Sequence, residues 1–581
     1  MSHILSAQSL NDYIAPSVAC IKPIEPLPVE DASTEHEVII DGTQKKPQGP
    51  TQISLTDCLA CSGCVTTAEA ILVSLQSHSE VLSTLDGARS VAISESGEIQ
   101  GLDDAERKIF VASVSPQTRA SLAAVCGGGV TERQAGVMLE RMLRDELAKG
   151  GEWGNGFSWV VDTNSVRDAC LVLGADEVLG QDASVPKPVI TSSCPGWVCY
   201  AEKSHPYVLP HLSKVKSPQA LLGTLLKTTL SKKLGIPPSR IWHLAIMPCF
   251  DKKLEASREE LMDTVWDPAS GTGVRDVDCV ITTKEIFTLA ECRGIDFFRL
   301  STDASTLRPQ SQFPDPRIHQ YLFPLRRAIS PPREAGTSGG NLHFILQAVC
   351  SQNPGSQIQM KRGRNVDIIE YSVLSASGET ILKAARTYGF QNIQNLVRKL
   401  KPATPSTIPG ARRRTPKFAA GRGGKLDYAY VEVMACPGGC SRGGGQVNVD
   451  DAIVMERTGI EGKPQSHHRK EWFGLVDEAY YSGEEGNPPT ASRGAGEDVP
   501  MTNGVETNGA SFAPAPGNDG LVGGISPSYV RDTLAHWSAS TGIAVDKLAL
   551  TSFREVISDV GKDQTQTELA AHLAGKIDGG W

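Results

Sequence analysis

Residues Val431 to Gln446 read VEVMACPGGCSRGGGQ. A β-branched apolar run ends in Cys436 and Cys440, with Pro437, Gly438 and Gly439 between them and Gly443, Gly444 and Gly445 after. Two thiols so close on a backbone with few side chains point to a bulky inorganic group. Thiolates are soft ligands that suit iron–sulfur clusters and zinc. Glycine lets the backbone approach such a group, and its amides can donate hydrogen bonds to cluster sulfurs.

The same arrangement recurs twice upstream. Cys194 sits in VITSSCPGW and Cys249 in IMPCFDKK, each behind an apolar run and beside a proline, Pro195 or Pro248. Strands are expected at Ile109–Val114, Ser158–Asp162, Val189–Thr191, Ile241–Met247, Val277–Thr282 and Ala429–Met434. Helices are expected at Glu132–Lys149, Pro218–Leu234, Lys284–Cys292, Asn341–Cys350 and Thr380–Leu400. This alternation predicts an α/β fold with a largely parallel sheet. Ligands of open α/β sheets bind outside the carboxyl ends of the strands. Three strands ending in cysteine therefore predict Cys194, Cys249, Cys436 and Cys440 around one cavity.

A second thiol set lies in CLACSGC, with Cys58, Cys61 and Cys64 two residues apart. Three cysteines at this spacing favour a 4Fe–4S cluster over structural zinc, which takes two separated pairs. The fourth cysteine of a ferredoxin run is missing, since that position is Ala68, and Cys20 is the best candidate to replace it. Core packing is expected for Cys126, Cys170, Cys199, Cys279, Cys292 and Cys350. His467-His468 reads as an exposed loop.

The remaining features bound the function. At 581 residues the chain is too long for one ordinary core. A net charge of −9 gives no reason to expect nucleic acid, and the basic run 411–417, ARRRTPK, reads as a solvated loop. No run approaches the roughly 18 apolar residues of a membrane span. Neither a signal peptide nor a mitochondrial leader opens the sequence. These features predict a cytosolic protein whose cysteines are thiols or metal ligands. The expected organisation is an iron–sulfur segment at 1–105, an α/β core at 106–483, a disordered linker at 484–527 and a helical tail at 528–581. Surface insertions are expected at Asp267–Val274, Thr302–Pro332 and Lys401–Gly424.

The motifs VSPQTRASLA (114–123), the run from Thr191 to Gln219, MPCFDKK (247–253), GTSGGN (336–341) and EVMACPGGCSRGGGQ (432–446) resemble those of iron-only hydrogenases. Within that superfamily the chain is similar to the cytosolic iron–sulfur protein assembly factors, also called nuclear prelamin A recognition factor-like proteins. The resemblance implies an iron-only hydrogenase-like core of two α/β lobes, an N-terminal iron–sulfur segment and a partly disordered C-terminal region. It implies two 4Fe–4S clusters, one on Cys20, Cys58, Cys61 and Cys64, the other on Cys194, Cys249, Cys436 and Cys440. Lys252 matches the hydrogenase lysine that contacts the di-iron unit. Hydrogenases carry a proton-relay cysteine immediately before the first core ligand, and here that residue is Ser193. The implied role is therefore assembly and transfer of clusters to cytosolic and nuclear apoproteins, not catalysis. The alternatives are an iron-only hydrogenase or other redox enzyme and, with no iron at all, a structural zinc protein. Implied partners are other assembly proteins, including a WD-repeat targeting subunit, and client apoproteins; Trp581 either docks that subunit or folds back onto the tail helices. The implied location is the cytoplasm, with the nucleus as a further one.

Overall fold

The computed structural model describes residues 76–556 except 95, 181–184, 325–331, 364, 366, 402–425, 483–510 and 513–519. Cys20, Cys58, Cys61, Cys64, the basic run, nearly all of a helix expected at Val65–Ser77, most of the 484–527 linker and Trp581 lie outside the described residues.

A short hairpin of β1 (Ala92–Ile93) and β2 (Ile99–Gln100) precedes two larger sheets. The first sheet is all parallel, in the order β4–β3–β6–β7, from Trp159–Asp162, Ile109–Val114, Ile241–Met247 and Cys279–Thr282. Strands β3 and β6 are buried at every residue. Strands covered on both faces read as continuous apolar runs, which is why these were legible. The second sheet is ordered β12–β8–β9–β10–β11–β5. Its strands β5 (Val189–Ser192), β11 (Tyr430–Met434) and β10 (Thr380–Tyr388) run parallel. Strands β9 (Ile368–Leu374), β8 (Gln357–Arg362) and β12 (Ser511–Phe512) continue it antiparallel. Half of this sheet thus departs from the parallel expectation.

Thr380–Leu400 was expected as one helix. It divides into strand β10 and the helix Phe390–Leu400, with Gly389 at φ +82° between them. Ala, Leu, Lys and Arg in TILKAARTY favour a helix locally. A place between β9 and β11 overrides that preference. The pair His467-His468 is likewise not in a loop but opens the helix Ser466–Tyr480. Among the other cysteines, Cys170, Cys199, Cys279 and Cys350 are buried as expected, whereas Cys292 is exposed and Cys126 only partly covered.

Helices Asn164–Leu179, Pro218–Leu234, Asn341–Gln352 and Pro527–Thr541 share one apolar core with both sheets, from Val111 and Trp159 on one side to Val189 and Tyr430 on the other. Ser217 caps the Pro218 helix by accepting from the Ala220 amide, and Gly235 ends it in the left-handed region. Past the helix Val545–Ala549, residues 550–556 cross the surface as a strap. The Thr551 amide donates to the Lys214 carbonyl, and the amides of Arg554 and Val556 donate to Glu202.

Two buried polar arrangements fix the sheets. On β6, His243 is fully buried, with Nδ1 3.2 Å from the Asp276 carbonyl and Nε2 2.9 Å from Ser113 Oγ. The carbonyl only accepts, so Nδ1 carries the proton and Nε2 accepts from the serine. Burial, the largest influence, lowers the imidazole pKa to about 4. The unfolded chain then binds the extra proton between its ordinary value near 6.5 and 4. Stability is complete above that window and falls as pH drops through it, by about 3 kcal/mol at most. Urea unfolding midpoints of the protein and of His243→Gln, measured at a series of pH values, should therefore converge as pH is lowered from 6.5 to 4. An unchanged gap across that range would refute the assignment.

The second arrangement joins β10 to β11. Arg386 and Glu432 are register partners, both buried, with Nε donating to Oε2 at 2.8 Å. The same guanidinium donates to the carbonyls of Glu334 and Ala335 at 3.1 Å each. It thereby pins the start of the GTSGGN loop.

Candidate metal centre

Each cysteine of the core set leaves the carboxyl end of a parallel strand. Cys194 follows β5 and caps the helix Pro195–Ser204. Cys249 follows β6 in the other sheet, just ahead of the helix Asp251–Ala256. Cys436 and Cys440 follow β11, which pairs in register with β5 up to Val433 and Ser192. Neighbouring parallel strands thus deliver Cys194 and Cys436 side by side, and the Ala435 amide points at Cys194 Sγ, 3.2 Å away.

Close backbone approach joins the two sheets here. The Gly445 amide donates to the Pro248 carbonyl at 3.0 Å. A Cβ on Gly445 would lie 2.6 Å from the Thr282 methyl and 3.1 Å from Cys249 Cα. At Gly439, φ is +97°, and a Cβ would meet Thr337 Oγ1 at 2.4 Å. Only glycine fits at either position. The hydroxyls of Thr337 and Ser338 accept from the amides of Ser441 and Cys440, so GTSGGN supports the turn that carries Cys440. Sequence reasoning quoted this motif without finding its task.

The four thiols are electrostatic neighbours. Burial pushes Cys194 up to about 12, with the Cys440 charge adding to it. Burial raises Cys249 and Cys436 well above the ordinary thiol range, and each also feels charge on other members of the set. Cys440 is raised by burial too, opposed by the Ser338 hydrogen bond and Lys252. Such thiols stay protonated without a metal and release protons when one binds. Among the described residues no three Cys, His, Asp or Glu side chains could hold one metal ion. Thiolates on separate irons of a cluster stand farther apart than thiolates on one ion, so that finding concerns single-ion sites alone. The donor set, the glycine cradle and the amide at Cys194 Sγ fit an iron–sulfur cluster.

Beside the thiols lies a cavity of about 180 Å³ whose walls include Ser193, Cys249, Lys252, Ser338 and Cys440. The Ser193 hydroxyl donates to the Ser338 carbonyl at 2.9 Å. Lys252 Nζ donates to Glu255 at 2.7 Å. Burial works against the lysine's charge, but Glu255 outweighs it and the ammonium pKa is raised. Glu255 carried no signal in the sequence, because nothing local marks a carboxylate that will meet a buried lysine.

Comparison with known proteins agrees with this geometry. Residues 108–444 match the family described as iron only hydrogenase large subunit, C-terminal domain. Over the full length of both chains, the sequence is 58% identical to the cytosolic Fe-S cluster assembly factor NAR1 of Chaetomium globosum. It is 56% identical to nar-1 of Neurospora crassa, again with both chains fully covered. The chain belongs to the iron-only hydrogenase-like family of cytosolic Fe–S cluster assembly factors. An [FeFe]-hydrogenase structure from work on oxygen inactivation aligns over 70% of this chain and 95% of its own, at 25% identity and a TM-score of 0.46. No helix among the described residues is long and apolar enough to cross a membrane.

Proposed function

We propose that the chain works in the cytosolic iron–sulfur assembly machinery, holding two 4Fe–4S clusters and helping to pass clusters to cytosolic and nuclear apoproteins. The observation that carries this reading is the convergence of four neighbouring thiols from three strand ends, Cys194 buried and the other three partly covered, beside a serine whose hydroxyl already donates to a carbonyl. Cys194, Cys249, Cys436 and Cys440 would hold one cluster. Cys20, Cys58, Cys61 and Cys64 would hold the other. When bound, such clusters supply one-electron chemistry at potentials set by their hydrogen bonds and exposure. The chain's own part is to shield the inner site and keep its ligands oriented. A serine hydroxyl holds its proton far more tightly than a thiol, so Ser193 does not relay protons near neutral pH. Its donation to the Ser338 carbonyl reinforces that reading. The role is therefore not that of a hydrogenase.

The proposed partners are other cytosolic assembly proteins, with a WD-repeat targeting subunit receiving the chain end at Trp581, and client apoproteins. The cytosol is the proposed location, with the nucleus as a second. Anaerobically purified protein should hold about eight irons and eight sulfides, the content of two 4Fe–4S clusters. It should evolve no hydrogen with a strong reductant. It should also load a 4Fe–4S apoprotein faster than free iron and sulfide do. Zinc in place of iron would overturn the cluster assignment. Hydrogen evolution would overturn the assembly role, and loading no faster than the free ions would remove the transfer step.

A further inference from the structure

Four cations line the cavity beside Cys249 and Cys440: Arg167, Lys216, Lys252 and Arg258. Three have well-placed carboxylates. Lys216 meets Asp276 at 3.3 Å with Thr224 Oγ1 at 2.8 Å, Lys252 meets Glu255 at 2.7 Å, and Arg258 grips both oxygens of Glu202 at 2.9 and 2.6 Å. Arg167 differs. Its side chain is 11% exposed, and only Nη2 has an acceptor, the adjacent Asp168 at 3.3 Å. Nε and Nη1 are buried without any acceptor among the described residues. Burial raises the pKa of Asp168, which weakens it as a counter-ion. A buried guanidinium with unused donors is costly unless something occupies them.

The same cavity holds the opposite deficit. Gln219 is 2% exposed and donates through Nε2 to the Lys252 carbonyl at 3.0 Å. Its Oε1 is buried and receives no hydrogen bond. One ligand that satisfies both groups must present an anionic acceptor to Arg167 and a donor to Gln219. The volume of about 180 Å³ is the share of about six waters. That admits a molecule of amino-acid size.

We propose that this cavity binds a small carboxylate that also carries a hydrogen-bond donor, the chemistry of a free α-amino acid, with Arg167 holding the carboxylate and Gln219 accepting from the ammonium. Planar bidentate recognition of carboxylate is what a guanidinium does best. Such a ligand sits within the cavity that Cys249 and Cys440 line, so its binding couples to the metal centre without supplying a protein ligand to it.

The test is anaerobic isothermal titration of the full-length, iron-loaded protein with L-alanine, L-cysteine, acetate and inorganic phosphate, with iron content measured for every variant. The amino acids should bind at least tenfold more tightly than acetate or phosphate. Arg167→Gln should weaken them by about 10- to 100-fold, the range for a lost hydrogen bond to a charged group. Arg167→Lys, which keeps the charge and loses the fork, should fall between. Gln219→Leu should bring the amino acids down to the level of acetate. Wild-type affinity in Arg167→Gln at normal iron content would overturn the proposal. Binding of phosphate in preference to the amino acids would also overturn it, as would no binding of any probe up to millimolar concentration.

Discussion

Cys436→Ala is expected to lower bound iron from about eight to about four per chain, because only the inner of the two proposed 4Fe–4S sites is broken. The remaining cysteines, Cys194, Cys249 and Cys440, would be left without metal. Their pKa values, all raised with burial as the first cause, show that this pocket disfavours free thiolates. Metal binding free energy is then folding free energy, so the variant should also melt at lower temperature. Cys20→Ala should remove the other half of the iron and leave the inner signal in electron paramagnetic resonance unchanged. Iron analysis and resonance spectra of the two variants check both statements. Loss of all iron in either one would show that the sites are not independent.

The second large effect is expected at a residue that touches no metal. Glu432→Ala should destabilise the protein by about 3–5 kcal/mol, the usual cost of leaving a buried charge without its partner. Arg386 would lose its carboxylate and keep the carbonyls of Glu334 and Ala335. Those carbonyls begin the loop whose Thr337 and Ser338 hold the amides of Ser441 and Cys440. The damage should therefore reach the inner cluster, with faster iron loss to a chelator than in the parent protein. Replacing both partners, Arg386→Met with Glu432→Leu, should recover much of the stability, because no charge is then buried alone. Urea unfolding of the parent protein and of the two variants measures this. A single substitution costing under about 1 kcal/mol, typical of an exposed pair, would refute the account.

The parts of the fold legible in the sequence are those where burial is uniform. Strands β3, β6 and β11 are covered along their whole length, and each appears as a mostly apolar run interrupted only by Ser113, His243 or Glu432. The core cysteines stood out because the runs of β5, β6 and β11 each lead to a thiol beside a proline. The antiparallel half was not legible. QIQMKR and IIEYSVL are only partly covered, so their apolar pattern is diluted by polar residues facing outward. TILKAARTY misled because its composition favours a helix and only its neighbours make it a strand. Arg167 and Glu255 gave no signal at all, and Gln219 entered only as the end of a run that resembles the family. Whether an arginine is buried without acceptors depends on packing between segments far apart in the chain, and no local pattern encodes that.

The strap of residues 550–556 sets a time for the inner site as well as a wall. Thr551 and Phe553 border the cavity, and the strap's amides hold Lys214 and Glu202. A ribosome adding 5–20 residues per second reaches Cys440 roughly 12–50 s after Cys194. It reaches the strap later still. During that interval the first two thiols wait without their partners, and the cavity stays open on the strap's side. Metal loading of this pocket thus waits until synthesis has passed Cys440, and the strap walls one side of the cavity only after that.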